Sequence, residues 1–247
     1  MRFFKLFSSI LIAALVIGLP TPSSAQVSIG IGVSLFAPPA LPVYVQPPAP
    51  APNMIWNPGY WAWGPYGYYW VPGTWVVAPQ VGVYWTPGYW GYNGGQYAWN
   101  AGYWGPTVGF YGGINYGAGY YGNGYVGGQW SGGAFQYNTA VSNVNTTIVH
   151  NTYINRSVVV NNTTINRAAY NGPGGVVAHP TSEQLQYERA HHIAPTPAQV
   201  QHQTIASQDH SLLASVNHGK PPVVAAPKPF TPANKPPGFK PVTPADK

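Results

Sequence analysis

Glu188, His191 and His192 lie within five residues of one another, with His202 and His210 downstream. Glu188 and His192 are four apart, so on a helix they share one face, a spacing that metal ligands use. A solvated helix surface is the commoner outcome for such a group. A catalytic constellation needs an acid, a base, a nucleophile or a metal at a constrained position. Between Lys5 and Arg156 there is no Asp, Glu, Lys or Arg, and His150 is the lone histidine, with no carboxylate to orient its imidazole. The four acids, Glu183, Glu188, Asp209 and Asp246, all fall in the last third. The run G-G-I-N-Y-G has neither a P-loop lysine nor a βαβ pattern around it, so its glycines read as turn residues. The expectation is a non-enzymatic protein with no cofactor, and a metal-dependent role through the Glu188, His191, His192 group stands as the further alternative.

What the chain offers instead is aromatic surface. W-N-P-G-Y-W (Trp56 to Trp61), W-V-P-G-T-W (Trp70 to Trp75), W-T-P-G-Y-W (Trp85 to Trp90) and W-N-A-G-Y-W (Trp99 to Trp104) recur every 14 or 15 residues. Second turn sequences separate them, G-P-Y-G, A-P-Q-V-G and N-G-G, leaving strands of about four or five residues in an antiparallel meander. If every turn is a hairpin, Trp85 faces Trp90, Trp61 faces Trp70, Trp75 faces Trp85 and Trp90 faces Trp99. All eight motif tryptophans then form one cross-strand row, joined on the same face by Trp63, Tyr68, Tyr92 and Tyr97. Pro-Gly favours type II turns, which suit hairpins poorly, so some of these sites are expected to be corners or bulges. The row has two uses: the core of a sheet poor in aliphatics, or an exposed platform on which sugar rings stack with no charge required.

Around this block the composition changes in steps. Residues 1–25 have Arg2 and Lys5, an apolar run too short for a membrane span and a small-residue site, and read as a signal peptide cleaved after Ala25. With no cysteine there is no lipobox and no disulfide. A periplasmic or secreted protein without a transmembrane segment in its mature form is expected. Residues 26–53 give a strand followed by a proline-rich linker, 54–137 the tryptophan repeat and a Gly/Tyr block, and 138–175 an Asn/Thr/Val-rich segment of β character. Residues 176–218 are helical in texture, with Thr181 and Thr196 placed to cap two short helices. Residues 219–247 read as a disordered Pro/Lys-rich tail. The fold class is therefore mainly β, with two C-terminal helices. The formal charge of +6 falls to +4 without Arg2 and Lys5, and five lysines lie from Lys220 onward. Cations spread along a tail do not make a phosphate-binding groove, which argues against nucleic acid.

The four W-x-x-G-x-W copies, with Y-W-A-W-G-P-Y-G-Y-Y-W joining the first two, resemble the WXXGXW (YXWGXW) repeat family of exported bacterial proteins. The likeness runs from about residue 38 to 221, through P-P-A-L-P-V-Y-V-Q-P-P, G-F-Y-G-G-I-N-Y-G, Y-N-T-A-V-S-N-V-N, Y-N-G-P-G-G and S-V-N-H-G-K-P. It implies a signal-bearing protein of the cell envelope and assigns no catalytic residue. Ala101 departs from the motif, where the other three copies have proline. Two partner classes follow: cell-wall or other polysaccharide on the aromatic face, or further copies of the chain, since uncharged Gly/Asn/aromatic strands pair and stack readily.

Overall fold

The two glycines of N-G-G are where the repeat block turns most tightly. Gly94 and Gly95 have φ of 58° and 90°, the signs a type I′ turn needs at both central residues. That turn sets Asn93 opposite Gln96, Tyr92 opposite Tyr97 and Trp90 opposite Trp99. The G-P-Y-G turn does the same for Trp63 with Tyr68 and Trp61 with Trp70. These registers are the ones the spacing predicts.

The computed structural model describes residues 32–157 and 167–246. Residues 1–31, with the expected signal peptide and the start of the expected first strand, and residues 158–166 of the Asn-rich segment lie outside the described residues. In chain order the repeat block and its approach contain β1 (Val33–Ser34), β2 (Met54–Asn57), β3 (Tyr60–Gly64), β4 (Gly67–Val71), β5 (Gly73–Val77), β6 (Tyr84–Thr86), β7 (Tyr89–Asn93), β8 (Gln96–Asn100) and β9 (Tyr103–Gly105). β3 and β4 form one hairpin, and the strands on either side of it, β2 and β5, pair with each other. β7 and β8 likewise form a hairpin inside the pair β6 and β9.

This nesting corrects the single meander. Trp85 does not face Trp90, nor does Trp75 face Trp85; Trp56 faces Trp75 and Trp85 faces Trp104. The Pro-Gly sites are corners at which both arms of one long hairpin bend together. The glycines at these corners, Gly59, Gly73, Gly88 and Gly102, are absent from the positive-φ positions. They are needed for space instead. A Cβ on Gly59 would lie 2.3 Å from Trp70 Cζ2, and one on Gly73 would lie 2.5 Å from Trp56 Cζ2. In the second unit a Cβ on Gly88 would meet Trp99 Cζ2 at 2.4 Å, and one on Gly102 would meet Trp85 Cζ2 at 2.5 Å. The first tryptophan of each motif therefore covers the glycine of its partner motif. The folding unit is a pair of motifs, repeating at 29 residues from Trp56 to Trp85 and from Trp70 to Trp99.

The rest of the chain wraps these units. β10 (Asn115–Gly117) and β11 (Tyr120–Tyr121) make a small hairpin. β12 (Gly128–Ser131), β13 (Ala134–Asn138) and β14 (Thr152–Tyr153) form a three-stranded sheet. β15 (Tyr170–Asn171) runs parallel to β7. Helices α1 (Ser182–Arg189) and α2 (Pro197–Ser207) start where expected: Thr181 and Thr196 each accept from the backbone N–H three residues on, and Gln184 and Gln199 reach back to complete capping boxes.

The tail differs from its expectation. Residues 219–246 carry β16 (Ala225–Ala226), which pairs with β5, and Phe230 is buried. Composition argues for disorder, but the tail finds fixed donors: Gly73 N–H and Trp70 Nε1–H both donate to Val224 O. Its stability is borrowed from the repeat unit it lies on.

Candidate functional site

The tryptophans are core. Trp56, Trp61, Trp70, Trp75, Trp90 and Trp104 are no more than 1% exposed, and Trp85 is buried. Trp99 and Trp63 are half-buried, and Tyr68 is buried. The row becomes four cross-strand pairs with ring centroids 5.2–5.5 Å apart, inclined at 55–65°. Those are the tilted and edge-to-face arrangements that the aromatic quadrupole favours. Trp63–Tyr68 and Tyr92–Tyr97 add two more pairs at 4.7 and 5.0 Å.

Burying an indole leaves an N–H that must find an acceptor. The proline-rich linker supplies two: Trp61 Nε1 donates to Ala40 O at 3.2 Å and Trp75 Nε1 to Pro47 O at 2.8 Å. An extended Pro-rich segment has free carbonyls and few N–H groups, so it suits this task. Leu41 and Ala49 N–H donate to Arg167 O and Asn143 O and fix the strap in place. Trp90 Nε1 donates to Trp61 O, and Tyr68 packs edge-on to Trp90, which locks the two units together. The Gly/Tyr block closes the rest. Tyr116 and Tyr120 hydroxyls donate to Gly88 O and Trp85 O, and Tyr137 bonds both the N–H and the carbonyl of Met54. Burial raises the pKa of Tyr120 well above its ordinary value and that of Tyr137 to about 12, so both hydroxyls stay protonated.

One end of the row stays open. Tyr92 is 39% exposed, Tyr97 is half-buried, and Tyr170 on β15 packs edge-on to Tyr97 at 5.0 Å. Asn93 and Gln96, beside the hairpin tip, are exposed. Tyr170 could not be found from the repeat, because it arrives from a distant segment by parallel pairing with Trp90.

The C-terminal group does not converge. Among the described residues no three His, Cys, Asp or Glu side chains are placed to hold one metal ion. His192 stacks on Tyr103 with centroids 3.8 Å apart, and its Nε2 lies 2.7 Å from Tyr187 O. Glu183 accepts from the Tyr187 hydroxyl. His202 is buried, and its ring joins two parts of the chain. Nδ1 accepts from Phe230 N–H at 2.8 Å, so Nε2 carries the proton and donates to Pro72 O at 2.8 Å. Burial pulls its pKa down to about 4, with the bond to Pro72 opposing the shift. Its role is to tie the tail to the corner of the first unit.

The WXXGXW repeat model matches the chain in two copies, over residues 52–76 and 81–104. Each copy coincides with one motif pair, so the chain carries two WXXGXW repeats, each of them one bent double hairpin. No curated protein matches the chain, and no solved structure does.

Proposed function

We propose that this is a non-enzymatic, exported protein of the cell envelope, in which the two repeats form a rigid aromatic body and the open tyrosine end of the row binds neutral carbohydrate. The observation that carries the reading is the contrast in exposure along the row: six tryptophans sealed in the core, Tyr92 at 39% and the exposed amides of Asn93 and Gln96 beside it. Tyrosine faces offer stacking area to a sugar ring, and the amides donate to and accept from its hydroxyls. Retention of the purified protein on peptidoglycan and on uncharged polysaccharides tests it. Tyr92→Ala with Tyr97→Ala should abolish retention; no retention of the wild type on any polymer, or none lost in the double variant, refutes it. Export rests on residues 1–25, and the N-terminal sequence of the secreted product should begin at Gln26.

Self-association is the second reading, favoured by one feature. β1 is an edge strand of the sheet β1-β8-β7-β15; Val33 on it and Leu35 and Phe36 just after it are exposed. Apolar edges of this kind pair with other edges. Light scattering on a concentration series separates the two: a strictly monomeric species removes this reading and leaves the first untouched.

A further inference from the structure

Residues 29 apart in the two repeats correspond: Trp70 with Trp99, Val71 with Asn100, Pro72 with Ala101 and Gly73 with Gly102. In the first repeat Trp70 Nε1–H and Gly73 N–H converge on one oxygen, Val224 O, at 3.0 and 3.2 Å. Trp56 Nε1–H and Gly59 N–H of the same repeat face the Tyr44 hydroxyl. The tryptophan and the glycine of W-x-x-G therefore make a two-donor clamp for one oxygen. The tail fills one clamp and the strap fills the other.

The second repeat has the same donors without those fillers. Among the described residues neither Trp99 Nε1–H nor Gly102 N–H has an acceptor, and the Trp99 nitrogen is open to solvent. Such donors normally find a partner. Trp85 Nε1–H and Gly88 N–H are also unmatched, but Trp85, Pro87 and Gly88 are buried and leave no path for a passing chain. The Trp99 corner does leave one. Every residue from Trp70 to Gly73 is buried, whereas Trp99 and Gly102 are half-buried and Asn100 and Ala101 are exposed. That contrast is the footprint of the tail, present on the first repeat and missing from the second. The α1–α2 connection reaches this edge at Trp104, which exchanges both backbone bonds with Ile193. Pro195 beyond it lines one cavity with Trp99 and Gly102 and accepts from neither. Tyr60 stacks on Trp99 at 4.9 Å, so the indole is held in place while its N–H stays free.

We propose that the Trp99–Gly102 corner docks an extended, proline-rich peptide of another protein, whose backbone carbonyl enters the clamp as Val224 O does in the first repeat. A proline-rich chain is extended in advance and leaves its carbonyls unpaired, which suits an edge that offers donors. The chain's own tail is committed to the first repeat through Val224 and β16, so the occupant comes from elsewhere. Ile193 holds the edge beyond Gly102, so the visitor ends or turns away at the residue that supplies the carbonyl. Neither Tyr92 nor Tyr97 takes part, and carbohydrate retention at the tyrosine end succeeds or fails separately.

NMR titration of the full mature chain with acetyl-Lys-Pro-Pro-Val-Val-amide, the sequence of residues 220–224, reads the two donors directly. The Trp99 indole signal is assigned by its loss in Trp99→Phe. Without peptide, Trp70 Nε1–H and Gly73 N–H should exchange slowly with solvent, and Trp99 Nε1–H and Gly102 N–H quickly. Peptide should shift the second pair downfield and slow its exchange, saturably, leaving the first pair unchanged. Trp99→Phe keeps a ring against Tyr60 and removes one neutral hydrogen bond, so binding read at Gly102 N–H should weaken about 5-fold. The wild-type titration decides the matter even if that variant folds poorly. Equal protection of both pairs before peptide is added overturns the proposal, as does an unmoved Gly102 signal in its presence. An equal response to triacetylchitotriose, which brings amide oxygens without an extended chain, overturns the peptide assignment. Concentration-dependent shifts of the two signals without peptide would make the occupant a second copy and overturn it as well.

Discussion

Replacing Gly73 by alanine tests the reason for the motif's glycine. The new methyl carbon would sit 2.5 Å from Trp56 Cζ2 and 2.9 Å from the Gly59 nitrogen. Carbon atoms in contact rest at about 3.5–4.0 Å, so both overlaps must be relieved by movement. Neither neighbour can give way easily. Trp56 is fully buried and held edge-on to Trp75 at 5.3 Å, and the Gly59 nitrogen belongs to the facing corner. Overpacking in a tight core costs about 1–3 kcal/mol, and this site should lie at the upper end. The restricted unfolded chain returns about 0.4–1 kcal/mol, for a net loss of about 2 kcal/mol. With a urea m-value of about 1–3 kcal/mol/M, the midpoint should fall by roughly 1 M. Gly105 is the control: its nearest neighbour would be Thr107 O at 3.5 Å, ordinary contact, and Gly105→Ala should stay within about 0.5 kcal/mol of wild type. The reciprocity makes the test sharper. Trp56→Leu should soften Gly73→Ala but not Gly59→Ala, whose obstacle is Trp70, and a double-mutant cycle reads that coupling. If Gly59→Ala and Gly73→Ala are as mild as Gly105→Ala, the steric account of the motif is wrong.

The neutral, doubly bonded His202 makes stability depend on pH. Its pKa falls from 6.5 unfolded to about 4 folded, so unfolding takes up a proton between these values; its contribution is complete above pH 6.5 and is lost as pH falls to about 4. The difference is worth about 3 kcal/mol, read as the change in urea midpoint across that window, and His202→Gln should flatten it. Removing the strap through residue 50 deprives Trp61 and Trp75 of their acceptors, and the tryptophan emission should shift to longer wavelength; unchanged emission would mean the strap is not their cover. Thr196→Ala deletes the cap of α2 and should cost about 1 kcal/mol by the same denaturation assay.

The hairpin tips were legible because their glycines act locally: Gly94 and Gly95 take positive φ, and the register of Tyr92 with Tyr97 follows by counting. The corners were legible only in part: the poor fit of Pro-Gly to a hairpin marks some of these sites as corners, but not which of them bend and which reverse. What separates the two is an indole arriving from 11 or 17 residues away, which no local propensity encodes. The exposure of the row was hidden for a similar reason. Its cover is a proline-rich strap and a lysine-bearing tail, segments whose composition predicts no fixed structure alone, and which become ordered by accepting indole N–H bonds. Ala101 now has an explanation: the demand at that corner falls on Gly102, beneath Trp85, so the preceding residue is free to vary. The candidate metal group failed to assemble because His192 is taken up by Tyr103 and Tyr187.

The exchange of indoles between partner motifs also bears on how such chains can lengthen or shorten. A single motif, excised or duplicated alone, would leave one glycine uncovered and one tryptophan without its seat. Copy number should therefore change in steps of 29 residues, and chains that gained or lost a lone 14- or 15-residue segment should be selected against as folding failures.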